Sequence, residues 1–146
     1  MSYLFAARPQ GSGIAAFELA ASGALTPRGG VADSAAAYAG GITGMVSVEA
    51  GGRTFLYAGS GTENGVAGYE VTAGGALRSV VQMGPAQGLP VQGLSALRVV
   101  QIEGQTFLIV AAQGSSSLSV LAVGAGGALT LVDQVIDDLG TRFQAV

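Results

Sequence analysis

The sequence contains no cysteine, histidine, tryptophan or lysine, and only 10% of its 146 residues are charged. The absence of cysteine excludes disulfides and thiolate chemistry. The absence of histidine removes the commonest general base and the commonest metal ligand. Six basic against nine acidic residues give a net charge of −3, which disfavours nucleic acid because phosphate binding needs a basic surface. We therefore expect no cofactor, no metal site and no nucleic-acid partner.

Long apolar runs are also missing, although 49% of the residues are hydrophobic. A membrane-spanning helix needs about 20 consecutive apolar residues, whereas glycine and polar residues interrupt every apolar run here. The first residues carry neither a basic segment nor a long apolar stretch, so we expect no signal peptide. The sequence predicts no membrane partner and, by default, a cytoplasmic location.

The tripeptide Gly-Ala-Leu recurs at residues 23–25, 75–77 and 127–129, and both intervals are 52 residues. Neighbouring apolar positions keep the same interval, as Tyr3, Phe55 and Phe107 do. A fixed interval of this length is typical of repeat architectures. We therefore expect a single repeat domain with units at about residues 1–42, 43–94 and 95–146.

Each unit is predicted to contain four β-strands, called a to d, joined by turns rich in glycine. No segment of 10 or more residues shows a helical period of 3.6, so we expect little or no helix. The strands predicted for the second unit span residues 43–48, 53–59, 66–71 and 76–83, and those for the third span residues 95–102, 106–112, 118–123 and 128–135. Four antiparallel strands per unit are typical of a β-propeller blade, so the sequence predicts an all-β propeller with three blades per chain.

The third unit resembles known propeller families. The segment Gly-Ala-Leu-Thr-Leu-Val-Asp at residues 127–133, after a glycine-rich turn, resembles blades of the lactonase-type seven-bladed propellers. The stretch Gly-Gln-Thr-Phe-Leu-Ile-Val-Ala at residues 104–111 resembles the propeller-like repeats of large secreted bacterial proteins of the hemolysin-type calcium-binding class. The resemblance implies a fold and no activity, because its motifs are structural. A fragment of such a secreted protein would be extracellular.

The alignment of the units predicts how the propeller closes. Met1 aligns with Arg53, so the first unit lacks its own strand a. A shorter last loop would align residues 143–146 with residues 97–100, and we expect a strand at about 142–146 to complete a blade with strand 2–8. Two copies joined head to tail then give a six-bladed homodimeric ring, whereas a nine-bladed trimer exceeds the usual four to eight blades. The alternatives are a fragment of a longer propeller and a three-fold monomer such as a β-trefoil or β-prism.

Few polar side chains are available for a site. Ser115, Ser116 and Ser117 have no histidine or lysine to act as a base, so we predict no catalytic residue. The strand residues Glu18 and Glu70 are expected to face outward. In a propeller, the b–c turns and the d–a crossovers lie at one end around the channel. The candidate ligand-binding residues at that end are Arg8, Tyr38, Glu63, Asn64, Gln92, Asp137, Asp138 and Arg142.

These features predict a non-catalytic propeller module that self-assembles and serves as a binding scaffold for a protein or glycan. One alternative is a small propeller-type lactonase or hydrolase, which needs a convergent set of acids and arginines at the channel mouth. Another is a lectin-like three-fold protein, which needs three equivalent sites. The corresponding turns at residues 10–13, 62–65 and 114–117 share few polar residues, which counts against the lectin-like alternative.

Overall fold

A computed structural model of the chain describes residues 2–8 and 13–137. These residues form an all-β structure of three antiparallel sheets. Sheet 1 contains β1 (Ser2–Ala7), β2 (Gly13–Leu19) and β3 (Leu25–Ala32). Sheet 2 contains β4 (Ile42–Ala50), β5 (Arg53–Ser60), β6 (Gly65–Val71) and β7 (Leu77–Met83). Sheet 3 contains β8 (Leu94–Ile102), β9 (Gln105–Ala112), β10 (Ser117–Val123) and β11 (Leu129–Ile136).

Each sheet is a meander in which every strand pairs with the next along the chain. The strands predicted for the second and third units are confirmed to within two residues at either end. Two short 3-10 turns, Ala73–Gly75 and Pro85–Gln87, are the helical elements of the described residues. In that part of the chain, no helix is long and apolar enough to cross a membrane. The strand expected at about 142–146 lies outside the described residues.

The sheets share one internal geometry. The strands of sheets 2 and 3 begin 52 residues apart, as Ile42 and Leu94 do. In all three sheets the register of the last strand pair shifts at a corresponding place, near Ala15, Gly68 and Val120. Such bulges increase the local twist of a sheet. The same sequence interval therefore separates equivalent strands and equivalent irregularities.

Side chains alternate between two faces of each sheet. On sheet 2, Phe55 and Tyr57 point toward sheet 3, and we call this side the forward face. Leu56 and Ala58 point toward sheet 1, and we call that side the rear face. The forward face of each sheet packs on the rear face of the next, so sheet 2 lies between the other two.

The core between sheets 2 and 3 is the larger of the two described apolar clusters. Phe55 and Tyr57 on the forward face of sheet 2 are fully buried against Leu108 and Val110 of sheet 3. The hydroxyl of Tyr57 donates to the carbonyl oxygen of Gly127 at 2.7 Å. Burial raises the pKa of Tyr57 to about 12. The two sheets therefore meet through apolar packing in which the buried hydroxyl of Tyr57 has a hydrogen-bond partner.

The three sheets are not covered equally, and sheet 1 has an exposed rear face. In β3 every residue except Val31 is exposed. Among the described residues no sheet covers the rear face of sheet 1 or the forward face of sheet 3. Apolar residues on these two faces remain in contact with solvent because an alternating strand buries only the side that another layer covers.

Candidate functional site

The polar residues expected at the loop end bind the backbone of the crossover loops. A carboxylate oxygen of Glu63 accepts a hydrogen bond from the backbone N–H of Gly40 at 2.8 Å. The side-chain oxygen of Asn64 accepts one from the backbone N–H of Gly93 at 2.8 Å. Asn64 also has a positive φ of 60°, a conformation that asparagine tolerates better than most residues. Both side chains lie in the turn between β5 and β6. Glu63 therefore links this turn to the crossover before sheet 2, and Asn64 links it to the crossover after sheet 2.

Tyr38 is held in the crossover between sheets 1 and 2. Its backbone N–H donates to the side chain of Gln82 at 2.8 Å, and its hydroxyl donates to Gln87 at 2.7 Å. Its ring lies against Gly65 and Gly84, where a Cβ would come within 2.4 Å and 2.3 Å of ring atoms. Tyr38 therefore holds the first crossover against β6, β7 and the loop that follows β7.

The remaining candidates lie at separate places along the loop end. The backbone N–H of Gln92 donates to the hydroxyl of Ser115 at 3.2 Å. Arg8 is exposed and donates its backbone N–H to Gly13 at 3.2 Å. The backbone N–H of Asp137 donates to the carbonyl oxygen of Ser116 at 2.7 Å. Asp138 and Arg142 lie outside the described residues. The structure brings together Tyr38 with Glu63, and Asn64 with the loop of Gln92.

An acidic pair at the first crossover was missed by the sequence reasoning. A Cβ on Gly40 would lie 2.9 Å from Asp33 Oδ2 and 3.3 Å from the Glu63 carboxylate, so the two acids flank this glycine. Burial raises the pKa of the nearby Tyr69, and the negative charges of Asp33 and Glu63 raise it further. Glu63 and Tyr38 also line a cavity of about 140 Å³. Nothing in the sequence spacing signals this pair, because a crossover loop brings its members together.

Metal coordination requires a cluster of ligands, which the described residues do not provide. Within residues 2–8 and 13–137, no group of three or more histidine, cysteine, aspartate or glutamate side chains could hold a metal ion. A wider groove of about 730 Å³ separates β1 from β4 and includes Tyr3, Phe5, Met45 and Ser47 in its lining. The arrangement at the loop end is suited to holding loops by hydrogen bonds and carboxylate charge.

Glu18 and Glu70, the two strand carboxylates expected to face outward, form ion pairs with arginines. Glu70 accepts hydrogen bonds from Arg53 at 2.7 Å through each carboxylate oxygen, and Arg78 also donates to it. The hydrogen bonds from Arg53 and Arg78 lower the pKa of Glu70 to about 2. Glu18 pairs in the same way with Arg28. The sequence placed Glu18 and Glu70 on the outside of their strands but did not indicate these partners, which are arginines on adjacent strands within reach of both.

The rear face of sheet 1 carries apolar residues whose equivalents are buried in the other sheets. Leu4, Leu56 and Leu108 occupy corresponding positions, and their exposed fractions are 44%, 5% and 0%. Leu25 is 50% exposed, whereas Leu129, two intervals further along, is 9% exposed. The residues are of the same type, so the difference arises from what packs on them.

The forward face of sheet 3 shows the complementary exposure. Val100 is 38% exposed, although its equivalent on sheet 2, Val48, is 4% exposed. Val135 is 43% exposed against 7% for its equivalent Met83. Eight large apolar side chains are exposed in the described residues. Six lie on these two faces, three on each: Leu4, Leu19, Leu25, Val100, Ile102 and Val135.

Comparison with known proteins defines the class of fold. The chain superposes on the crystal structure of a protein from Lactobacillus plantarum, which has a lactonase-like β-propeller fold, with a TM-score of 0.66 and 22% sequence identity. The match covers 95% of this chain and 40% of that protein, so the chain spans less than half of its structural neighbour. No family model matches the chain, and neither does any curated protein. The chain is thus an all-β protein with a propeller-like fold.

Proposed function

We propose that this chain is a non-catalytic interaction module that self-assembles through the forward face of sheet 3 and the rear face of sheet 1. The observation that carries the proposal is the unequal burial of equivalent residues, of which Leu4 at 44% and Leu108 at 0% are the clearest pair. Contiguous exposed apolar surface on a protein marks an interaction site. These side chains are 38–56% exposed, so covering what remains of each contributes about 1 kcal/mol, roughly half the value for full burial.

The polar loop end is less suited to this role. Glu63 and Asn64 already accept hydrogen bonds from backbone N–H groups, and Tyr38 donates one to Gln87. A ligand would have to compete with these internal bonds, each worth about 1 kcal/mol. The two sheet faces need no such exchange, because covering them removes apolar surface from water.

The packing inside the chain indicates the geometry of assembly. A forward face packs on a rear face between sheets 1 and 2 and again between sheets 2 and 3. Continuing this order places the forward face of sheet 3 against the rear face of a sheet 1. Because the two faces differ, the contact is head to tail and closes only as a ring. Two copies supply six sheets, within the usual range of four to eight for propellers.

Charge substitution on a free face tests the proposal. In Val100→Glu, a carboxylate replaces an apolar side chain on the forward face of sheet 3, so its burial in an assembly becomes costly. Ala86→Glu is the matched control, because it adds the same charge to an exposed turn outside both faces. Light scattering across a concentration series should show association of the unchanged chain and of Ala86→Glu, and a loss of association in Val100→Glu. Equal association of all three proteins would contradict the proposal.

A further inference from the structure

The glycine of the recurring Gly-Ala-Leu tripeptide lies against an aromatic ring at both sheet contacts within the chain. A Cβ added to Gly75 would lie 2.4 Å from the ring of Tyr3 in the preceding sheet. A Cβ added to Gly127 would lie 2.5 Å from the ring of Phe55, again in the preceding sheet. No real Cβ approaches another heavy atom this closely, so the ring occupies the space of a side chain. A c–d turn with glycine at this place receives an aromatic residue from the sheet before it.

Gly23 has the same backbone conformation, but among the described residues no ring packs against it. Its φ is 86°, close to the 79° of Gly75 and the 83° of Gly127. Gly75 and Gly127 are buried, whereas Gly23 is exposed. A Cβ added to Gly23 would meet no atom of residues 2–8 and 13–137 within 4 Å. The turn is therefore formed as in sheets 2 and 3, and only the aromatic residue is missing.

The aromatic residue that corresponds to Tyr3 and Phe55 lies at the other end of the molecule. Phe107 follows Phe55 by 52 residues and is on the forward face of sheet 3. Phe55 is fully buried, but Phe107 is only partly buried. Val100 is its direct neighbour across the strand pair and is 38% exposed. Sheet 3 thus presents the aromatic residue Phe107 with no turn packed on it in the described residues. Sheet 1 presents the turn at Gly23 with no aromatic residue packed on it there.

We infer that Phe107 of one copy packs against Gly23 of a second copy, so that the contact made twice within the chain is made again between chains. This inference rests on the proposed self-assembly and adds the register of the contact and the residues that make it. A second copy fits because it carries both halves of a contact that this chain already forms. The rear-face leucines Leu4 and Leu25 would then cover the forward face around Phe107, as Leu56 and Leu77 pack on the forward face of sheet 1 beside Phe5.

A valine at Gly23 tests the contact directly. Its side chain would occupy the space of the Phe107 ring, and a closed dimer contains this overlap twice. Overpacking of this kind should raise the dissociation constant about a hundredfold. Gly52→Val is the matched control, because Gly52 has a φ of 73° and a Cβ there also meets no described atom within 4 Å. Both variants carry the same kind of backbone strain, which urea unfolding of the dilute proteins should show as similar losses of stability.

A compensating substitution separates a steric contact from a general loss of folding. Phe107→Ala removes the ring, so the double variant Gly23→Val with Phe107→Ala should associate more tightly than Gly23→Val alone. Sedimentation equilibrium of the unchanged chain and these variants gives the dissociation constants. Equal association of Gly23→Val and the unchanged chain would overturn this inference and leave the proposed assembly intact. If the unchanged chain is a monomer at every concentration, both the proposed assembly and this inference are overturned. If Gly52→Val weakens association as much as Gly23→Val does, the inference alone is overturned.

Discussion

The three equivalent leucines provide a test of the packing order within one chain. Leu108 is fully buried in the larger core and Leu56 is 5% exposed in the smaller one. Leu4 is 44% exposed on the rear face of sheet 1. Substitution by alanine removes the same atoms at all three positions. Any difference in the free energy of unfolding therefore reports on the surroundings of each leucine.

The expected losses follow from burial. A fully buried leucine replaced by alanine costs about 3–5 kcal/mol, because the transfer energy of the lost atoms and the cavity left behind add together. Leu108→Ala should fall in this range. Leu56→Ala should cost about 2–4 kcal/mol, since its smaller cluster can relax more. Leu4→Ala leaves no closed cavity and exposes little new surface, so its cost in the dilute chain should be below about 1 kcal/mol.

Urea unfolding followed by far-ultraviolet circular dichroism measures these losses, because the chain has no tryptophan to report by fluorescence. At low concentration the loss for Leu4→Ala should be the smallest of the three. At high concentration it should grow, since association stabilises the folded chain by mass action. A loss for Leu4→Ala equal to that for Leu108→Ala in the most dilute sample would refute the reasoning.

Three further substitutions test individual contacts by the change in the free energy of unfolding. Tyr57→Phe should cost about 1–3 kcal/mol because the buried carbonyl of Gly127 loses its donor; a cost near zero would contradict that bond. Asn64→Gly should cost about 1 kcal/mol because the hydrogen bond from Gly93 is lost. Asn64→Ala should cost about 1 kcal/mol more, because alanine is strained at the positive φ of this position. Equal costs for the two variants would contradict a contribution from backbone strain. Glu70→Gln should lose stability relative to the unchanged chain at about pH 6 and little at about pH 2, and a constant difference would contradict the ion pairs.

The sign of this last prediction follows from the pKa of Glu70. The hydrogen bonds from Arg53 and Arg78 lower the pKa from 4.5 to about 2 in the folded chain. The carboxylate therefore stabilises the folded state fully above about pH 4.5, and this contribution disappears as the pH falls toward 2. Salt should weaken the effect because the ion pairs lie at the surface.

The strands were predictable because short apolar segments alternate with glycine-rich turns at a constant interval. The b–c turn at residues 62–65, for example, has Asn64 at a positive φ of 60°, which asparagine tolerates. The 52-residue interval also predicts that Leu4, Leu56 and Leu108 occupy equivalent positions, whereas their different burial is seen only in the structure. Local pattern and strand pairing act over a few residues, so one sequence suffices to recognise them.

The candidate site was less predictable because its contacts join distant segments. Glu63 binds the backbone of Gly40, and Asn64 binds that of Gly93. Sequence reasoning placed both acceptors at the loop end but could not show that backbone N–H groups already occupy them. The pairing of Glu70 with Arg53 depends in the same way on strand register, which determines which residues of neighbouring strands lie opposite one another.

The mass of the chain in solution tests the central claim most directly. One chain has a mass of 14.3 kDa, so a head-to-tail dimer has twice that, or 28.6 kDa. Light scattering coupled to size-exclusion chromatography should give about 28.6 kDa at micromolar concentration and a smaller value on dilution. A constant mass of 14.3 kDa at every concentration would contradict self-assembly through the two free sheet faces.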